Sequence, residues 1–246
     1  MEKTKKFEIT SFTLHILAMV FMLCDHLWGT IVSGNEWLTC IGRIAFPIFA
    51  FLLVEGYFHT KNLKKYILRL FIFALISEIP FNLMKGSSIT YILAQNVLWT
   101  FLIGIFMMYL NDKVKNKKWF VRGIVAFATI LLGFVLGFIT FADYYGYGVL
   151  MILTFYFFRG QKLWNYIAQF IAMAYINVNL MKGLSYEVSL FNKVYWIPQQ
   201  AYALIALIPI WLYHGKQGPY NKFIKYGFYA FYPLHMLLLA AIKLYL

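Results

Sequence analysis

Residues 12–31 read FTLHILAMVFMLCDHLWGTI, an almost unbroken apolar stretch. A helix of about 20 such residues covers the roughly 30 Å hydrocarbon layer of a membrane. The lysines before the stretch resemble the start of a signal peptide, but the apolar run is too long for one, and no small-residue cleavage site follows it. The stretch therefore predicts an uncleaved first transmembrane helix.

The rest of the chain has the same apolar character. Of its 246 residues, 62% are hydrophobic and 13% are charged, and the mean hydropathy is +0.69. These polar groups are too few to cover a water-soluble globule. We predict one integral-membrane domain over residues 1–246, an all-α polytopic bundle of about nine transmembrane helices. The predicted spans are 12–31, 39–58, 66–84, 91–110, 120–141, 147–158, 163–180, 197–213 and 225–246, with a long loop at 181–196.

The basic residues explain the net charge of +13 without a nucleic-acid partner. They concentrate at alternate ends of the predicted spans, which is the positive-inside pattern of cytoplasmic loops. We therefore expect a multi-pass protein of the bacterial inner membrane with a cytoplasmic N-terminus and, after nine helices, an external C-terminus. The predicted cytoplasmic ends hold Lys3, Lys5, Lys6, Lys61, Lys64, Lys65, Arg69, Lys113, Lys115, Lys117, Lys118, Arg122, Arg159, Lys162, Lys216, Lys222 and Lys225.

Four ionisable groups lie within the predicted spans toward their outer ends, namely Asp25, His26, Arg43 and Glu78. Charges inside a span are costly, so they normally face the bundle interior and have partners. Two carboxylates against one guanidinium leave a surplus negative charge beside an imidazole, which is a setting for a general base. We predict that base to be His26. Because adjacent helical residues point about 100° apart, Asp25 has Arg43 as an alternative partner.

A second layer of ionisable groups lies near the predicted cytoplasmic ends. Glu55 and His59 are one helical turn apart and face the same way, and Arg69 lies within the next predicted span. We expect the charge of Glu55 to be balanced by Arg69. Farther along the chain, His235 and Asn82 are polar groups within spans that are able to line the same cavity.

Three prolines interrupt the predicted spans. Pro47 removes the backbone donor that would bond to the carbonyl of Arg43, and Pro80 and Pro233 have the same effect in later spans. We therefore expect kinks in the second, third and ninth helices.

Several motifs of enzyme chemistry are absent from the sequence. It contains no glycine-rich phosphate loop, no CxxC pair, no zinc-binding His-x-x-Glu-His run and no GxSxG elbow. The five histidines are too dispersed for their spacing to indicate a metal site. We expect neither a metal nor ATP chemistry.

The segments around these residues resemble those of the TraX family over nearly the whole chain. The resemblance rests on Asp25-His26, the segment 42–52 (GRIAFPIFAFL), Glu55-Gly56-Tyr57, His59-Thr60, Arg69-Leu70, the segment 76–81 (ISEIPF), Asn96-Val97 with Thr100, Ala142-Asp143-Tyr144 with Gly148, and the segment 231–235 (FYPLH).

The resemblance implies an activity. TraX proteins are known as membrane proteins that acetylate the N-terminus of conjugative pilin from acetyl-CoA, and they look distantly similar to multi-helix membrane acyltransferases of the acyltransferase-3 type. The resemblance therefore implies an acyl-CoA-dependent acetyltransferase domain whose catalytic base is His26, supported by Asp25, Arg43 and Glu78. The acceptor is expected to be a peptide, glycan or lipid-linked molecule at the outer side.

The predicted sides of the membrane divide the remaining residues between donor and acceptor. The predicted acyl-CoA site consists of Lys61, Lys64, Lys65, Arg69, Glu55 and His59. The predicted acceptor site consists of Asn82, Asp143, Tyr144 and His235. Whether the acetyl group passes directly to the acceptor or through His26 stays open.

Two other functions use the same features. A proton-coupled transporter or flippase would use the charged layers to couple or bind its substrate. A non-catalytic assembly subunit of a secretion or pilus system would not need His26 or Arg43 for chemistry.

Overall fold

The computed structural model describes residues 9–91, 93–190 and 193–245, without the side chain of residue 190. Most of this part of the chain is helical. The α-helices are α1 (Ser11–Thr30), α2 (Glu36–Gly42), α3 (Ala45–His59), α4 (Leu63–Gly86), α5 (Val97–Lys113), α6 (Trp119–Ile139), α7 (Tyr145–Phe157), α8 (Leu163–Ala174), α9 (Leu207–Trp211) and α10 (Lys222–Tyr245). A π-helical turn (Tyr175–Met181) continues α8, and a 3-10 helix (Gln199–Ala206) precedes α9.

These elements form nine helical rods over the described ranges, so the predicted number of helices is confirmed. A turn at Arg43 and Ile44 separates α2 from α3 within one rod. In the described part of the chain, five rods are long and apolar enough to cross a membrane: Ser11–Thr30, Glu36–His59, Leu63–Gly86, Trp119–Ile139 and Lys222–Tyr245. Their lipid-compatible exteriors include the exposed Ile124, Phe127 and Leu131 of α6. The chain is a helical membrane protein.

The all-α prediction is wrong for one segment. Strands β1 (Ser185–Leu190) and β2 (Lys193–Pro198) form an antiparallel hairpin in which Ser185 pairs with Pro198. This hairpin replaces the predicted loop and the first two residues of the predicted eighth span. Its β-branched and aromatic residues, such as Val194 and Trp196, suit a strand better than a helix.

The fourth predicted span begins too early, because the helix starts at Val97 rather than at residue 91. The side chain of Asn96 caps α5 by accepting a hydrogen bond from the Leu98 amide at 3.1 Å. Just before it, the Gln95 amide bonds to the Phe141 carbonyl at 2.8 Å. The preceding apolar residues therefore form a connection that is tied to the loop after α6.

The prolines act in two ways. The break between α2 and α3 falls at Arg43, whose carbonyl lacks a partner amide because residue 47 is proline. Helices α4 and α10, in contrast, run through Pro80 and Pro233 without interruption. The break at Arg43 agrees with the kink expected in the second helix, and the kinks expected at Pro80 and Pro233 stay predictions.

The rods alternate in direction, which gives the bundle two distinct ends. At the basic end, where α1 and α10 begin, the Ser11 amide bonds to the Lys216 carbonyl at 2.8 Å. At the opposite end, called the hairpin end, both α4 and α10 end, and Lys243 Nζ donates to the Met84 carbonyl at 3.3 Å. The predicted basic residues Lys3, Lys5 and Lys6 lie outside the described ranges.

Candidate functional site

A cavity of about 340 Å³ lies inside the bundle, between α1, α3, α4, α5 and α10. Near the basic end its lining includes Arg69 and Lys225, and its walls are mostly apolar. On α10 the lining extends from Lys225 to Tyr232, which is about 10 Å along the helix axis. The cavity therefore runs from the basic end into the membrane-spanning part of the bundle.

Helix α1 lines the cavity along one face. His15, Met19 and Met22 recur at helical spacing on the lining, and His26 follows Met22 by four residues on that face. On α10, His235 follows the lining residue Tyr232 by three residues. Both helix faces thus continue past the inner end of the cavity to a histidine.

These two histidines are hydrogen-bonded to each other. His26 Nδ1 lies 2.7 Å from His235 Nε2, and the two ring planes are within 5° of parallel. His235 is buried, its Nδ1 is 2.7 Å from the Phe231 carbonyl oxygen, and the Phe231 ring stacks on it at 4.7 Å. Sequence reasoning assigned His235 to the acceptor, whereas the structure makes it the partner of His26.

Asp25 forms a separate cluster around an ion pair with Arg43, as the alternative pairing predicted. Thr39 Oγ1 donates to the same carboxylate oxygen of Asp25 at 2.7 Å and accepts a hydrogen bond from Arg43 Nη2 at 3.0 Å. Gln199 Nε2 donates to Thr39 Oγ1 at 2.7 Å. Sequence reasoning missed Thr39, although it lies one turn before Arg43, and Gln199, for which the sequence carries no signal.

Gly42 makes the approach of α2 to α1 possible. A Cβ atom at this position would lie 2.4 Å from the Cβ of Asp25 and 2.9 Å from its Cα. A side chain therefore cannot be added without moving one helix. The glycine before Arg43 thus sets the distance across which the Asp25–Arg43 pair forms.

Glu78, predicted to support His26, bonds instead to α5. Its Oε2 accepts hydrogen bonds from Asn96 Nδ2 at 2.5 Å and from Trp99 Nε1 at 3.1 Å. Its Oε1 is buried and has no partner among the described residues. None of these bonds joins Glu78 to His26 or to Arg43 in the described part of the chain.

The predicted acceptor residues Asp143 and Tyr144 do lie near the Asp25–Arg43 cluster. The Tyr144 ring stacks on Phe46, three residues after Arg43, with centroids 4.0 Å apart. Burial raises the pKa of the Asp143 carboxyl, and the charges of Lys85 and Arg43 oppose that rise. Asp143 and Tyr144 therefore share one electrostatic environment with the cluster.

Asn82, the remaining predicted acceptor residue, has a different position. Its Nδ2 donates to the Ile89 carbonyl at 3.0 Å. This bond holds the chain that leaves α4. The amide therefore contacts the loop after the helix and does not join the histidine pair.

The expected pairing of Glu55 with Arg69 is wrong. Glu55 pairs with Arg159, with Nε to Oε1 at 2.6 Å and Nη2 to Oε2 at 3.3 Å. The reason is the rotation of α3: Leu52 and Gly56 face the first cavity with Arg69, whereas Glu55 faces a second cavity of about 270 Å³ with Arg159.

The other predicted acyl-CoA residues are divided between surface and cavity. His59 lines both cavities, and its Nδ1 is 2.8 Å from the Glu55 carbonyl oxygen. Lys61, Lys64 and Lys65 are exposed at the start of α4 and are not among the cavity-lining residues. Lys225 lines the cavity, and sequence reasoning placed it only among the basic loop residues.

The side chains of the described residues include no group of three or more His, Cys, Asp or Glu that is arranged to hold a metal ion. The features above define a class: a polytopic helical membrane protein in which an internal cavity extends from a basic end toward a hydrogen-bonded histidine pair.

The chain belongs to the TraX protein family, whose model matches residues 11–243. It is also 27% identical over 258 residues to the "Probable fimbrial assembly protein FimC, serogroup H1" of Dichelobacter nodosus, with 99% of each chain covered. No solved structure matches the chain.

Proposed function

We propose that this protein is a membrane-embedded acyltransferase that transfers an acetyl group from acetyl-CoA to an amine or hydroxyl, with His26 as the general base. The observation that carries the proposal is the cavity, because it extends from a cationic end of the bundle toward the His26–His235 pair, which lies just past its inner end on the same faces of α1 and α10.

The cavity suits the parts of an acyl-CoA. Arg69 and Lys225 at its basic end match the phosphates of CoA, and the exposed lysines at the start of α4 add positive charge nearby. The mostly apolar walls accept the uncharged pantetheine arm. Lys225 and His235 lie about 15 Å apart along α10, so a pantetheine arm that extends past the inner end of the cavity would place the thioester near the histidines while the phosphates stay at the basic end.

The Asp25–Arg43 cluster supports the histidines in this proposal. Arg43 Nη2 bonds to Asp25 and Thr39, and its Nε bonds to the Thr39 carbonyl at 3.3 Å. Because these atoms of Arg43 are already hydrogen-bonded, we favour a role for Arg43 in holding Asp25 over a role in stabilising the oxyanion of the reaction. Asp25 then supplies a fixed negative charge near His26.

The orientation of the protein is part of the proposal. The positive-inside pattern supports a cytoplasmic basic end in the bacterial inner membrane, with a cytoplasmic N-terminus and an external C-terminus. Acetyl-CoA would then bind from the cytoplasm. The acceptor would approach the hairpin end, where Asp143 and Tyr144 lie near the Asp25–Arg43 cluster.

The acceptor is proposed to be an exported peptide, with glycans and lipid-linked molecules as the other classes to test. The family resemblance to pilin acetylases and the similarity to a protein named for fimbrial assembly support a pilus subunit. An N-terminal amine presented at the hairpin end would satisfy the chemistry.

The test supplies radiolabelled acetyl-CoA to membranes that contain the protein and follows label into protein, glycan and lipid fractions. His26→Gln is expected to lower transfer by about 10²- to 10⁴-fold, the usual contribution of a general base. His214→Gln is the matched control, because His214 is exposed and lies outside the first cavity. Normal transfer by folded His26→Gln would refute the proposal, and substrate flux without any acylated product would favour a transporter.

A further inference from the structure

The hydrogen bonds of the histidine pair determine which ring nitrogens carry protons. A backbone carbonyl only accepts hydrogen bonds, so His235 Nδ1, 2.7 Å from the Phe231 oxygen, must carry a hydrogen. Neutral His235 then has a bare Nε2. The charged form would need a counter-ion in this buried position, and no carboxylate is hydrogen-bonded to His235 in the described ranges.

The tautomer of His235 decides that of His26. Since His235 Nε2 is bare, the 2.7 Å contact between the rings is a hydrogen bond donated by His26 Nδ1. The other nitrogen of neutral His26, Nε2, is left with a free lone pair. No hydrogen bond to this atom occurs among the described residues, and it is not one of the buried, unpartnered atoms.

His26 is unusual among the five histidines in this respect. His15, His59, His214 and His235 all place Nδ1 against a backbone carbonyl, at 2.7, 2.8, 3.0 and 2.7 Å. His26 places Nδ1 against another side chain, so its tautomer depends on a residue 209 positions away. The charges of Asp25, Arg43 and Lys85 also reach His26, but none of these groups is hydrogen-bonded to its ring.

We infer that His235 is a positioning residue that holds His26 in the Nδ1–H form and thereby makes Nε2 of His26 the basic atom. This inference rests on the proposed acyl transfer for its functional meaning. The Phe231 ring, stacked on His235, keeps the imidazole in place for the bond.

The pair then moves one proton during transfer. The acceptor N–H or O–H gives its proton to His26 Nε2 while its nitrogen or oxygen bonds to the acetyl carbonyl carbon. The C–S bond of acetyl-CoA breaks, and the departing thiolate takes the proton back from His26. In between, the charged His26 donates a stronger, charge-assisted hydrogen bond to His235 Nε2. If the acetyl group passes through His26 instead, the same Nε2 is the attacking atom.

The direct test is ¹⁵N NMR of the full-length protein in lipid nanodiscs, labelled with ¹⁵N-histidine and recorded near neutral pH. Protonated and bare ring nitrogens differ widely in chemical shift, and His26→Gln and His235→Gln assign the two residues. We expect His26 to show a protonated Nδ1 and a bare Nε2. A protonated Nε2 in His26 would overturn the inference, whether or not the protein transfers acetyl groups.

The functional test compares two variants of His235 that differ in their ability to accept a hydrogen bond. His235→Leu accepts none and should lower transfer by about 10- to 1,000-fold. This loss is smaller than the roughly 10⁴-fold loss in a serine protease whose charged aspartate, which fixes the histidine tautomer, is replaced by asparagine. His235→Gln has a carbonyl oxygen near the position of Nε2 and should keep at least about ten times the activity of the leucine variant. Equal activities in the two folded variants would count against the positioning role, since a purely structural His235 predicts no rescue by the acceptor.

Discussion

Two ion pairs among the described residues, Asp25–Arg43 and Glu55–Arg159, differ in how far their charged groups are exposed. At the hairpin end the side chains of Arg43 and Asp25 are 16% and 21% exposed, and Thr39 and Gln199 complete the network. At the basic end Glu55 is 11% exposed, but its partner Arg159 is 38% exposed and lies beside a cavity.

The difference in exposure between the two pairs indicates at which site the position of a charge matters. A buried pair is stabilising only when its remaining polar atoms are also bonded, and breaking it leaves an uncompensated charge. The Asp25–Arg43 pair is the less exposed of the two, lies next to His26 and has Thr39 bonded to both partners, whereas Arg159 keeps the Glu55 pair in contact with water. We therefore expect the first pair to matter for transfer and stability and the second for stability alone.

The largest effect is expected at Arg43. Arg43→Leu leaves the Asp25 carboxylate unpaired, which should lower the free energy of unfolding by about 3–5 kcal/mol and abolish most transfer. The measurements are the thermal midpoint of the purified protein in detergent and the labelled-acetyl assay. Adding Asp25→Asn to the variant removes the orphaned charge and should recover part of the stability without restoring transfer. A double variant as unstable as the single one would contradict this account.

The next effect compares a glycine from each end of the bundle. Gly42→Ala should cost about 1–3 kcal/mol, because the new methyl group meets the Cα and Cβ of Asp25. Gly56→Ala should cost less, because its methyl group meets the hydroxyl end of Tyr66 at 2.9 Å and that side chain can move. The order of the two thermal midpoints tests whether the hairpin end is the more tightly packed. The reverse order would refute it.

A smaller effect is expected at Arg159. Arg159→Leu should lower stability by only about 1 kcal/mol, since the guanidinium is partly exposed and water can solvate the Glu55 carboxylate. Acetyl transfer should remain within about two-fold of normal in the same assay. A loss of transfer as large as that of Arg43→Leu would erase the distinction between the two pairs.

The smallest effect is expected at Gln199. Gln199→Leu removes one hydrogen bond to Thr39 Oγ1 but leaves that hydroxyl bonded to Asp25, so stability should fall by about 0.5–1.5 kcal/mol. Thermal unfolding of this variant beside Gln200→Leu provides the comparison, because the neighbouring Gln200 makes no bond to Thr39. Equal midpoints would indicate that the network ends at Thr39.

Part of the site was predictable from the sequence, because the position of a residue within a span gives its depth in the membrane. The positions of Asp25 and Arg43 in successive spans place both near one end, so their pairing followed from charge and rise per residue. The same reasoning failed for Glu55 and Arg69. The depth of a residue in the membrane does not determine in which direction its side chain points around the helix axis. The rotation of α3 about its axis places Glu55 next to Arg159.

The hairpin and the start of α5 show another limit of the sequence. Short strands and extended connections in an apolar chain have compositions close to those of helices. Gln95 lies in such a connection because its backbone finds partners at residues 141 and 143, far along the chain. Only those tertiary contacts separate the connection from the helix that follows.

The sequence by itself determined that this is a helical membrane protein, because apolar length is a local property, and five rods of the described ranges carry enough of it in their own residues to cross a membrane. Only the tertiary structure decided which polar groups meet. His26 and His235 are 209 residues apart, and their contact depends on α10 packing against α1 in a particular rotation. That rotation results from the fit of all neighbouring helices, so no local pattern contains it.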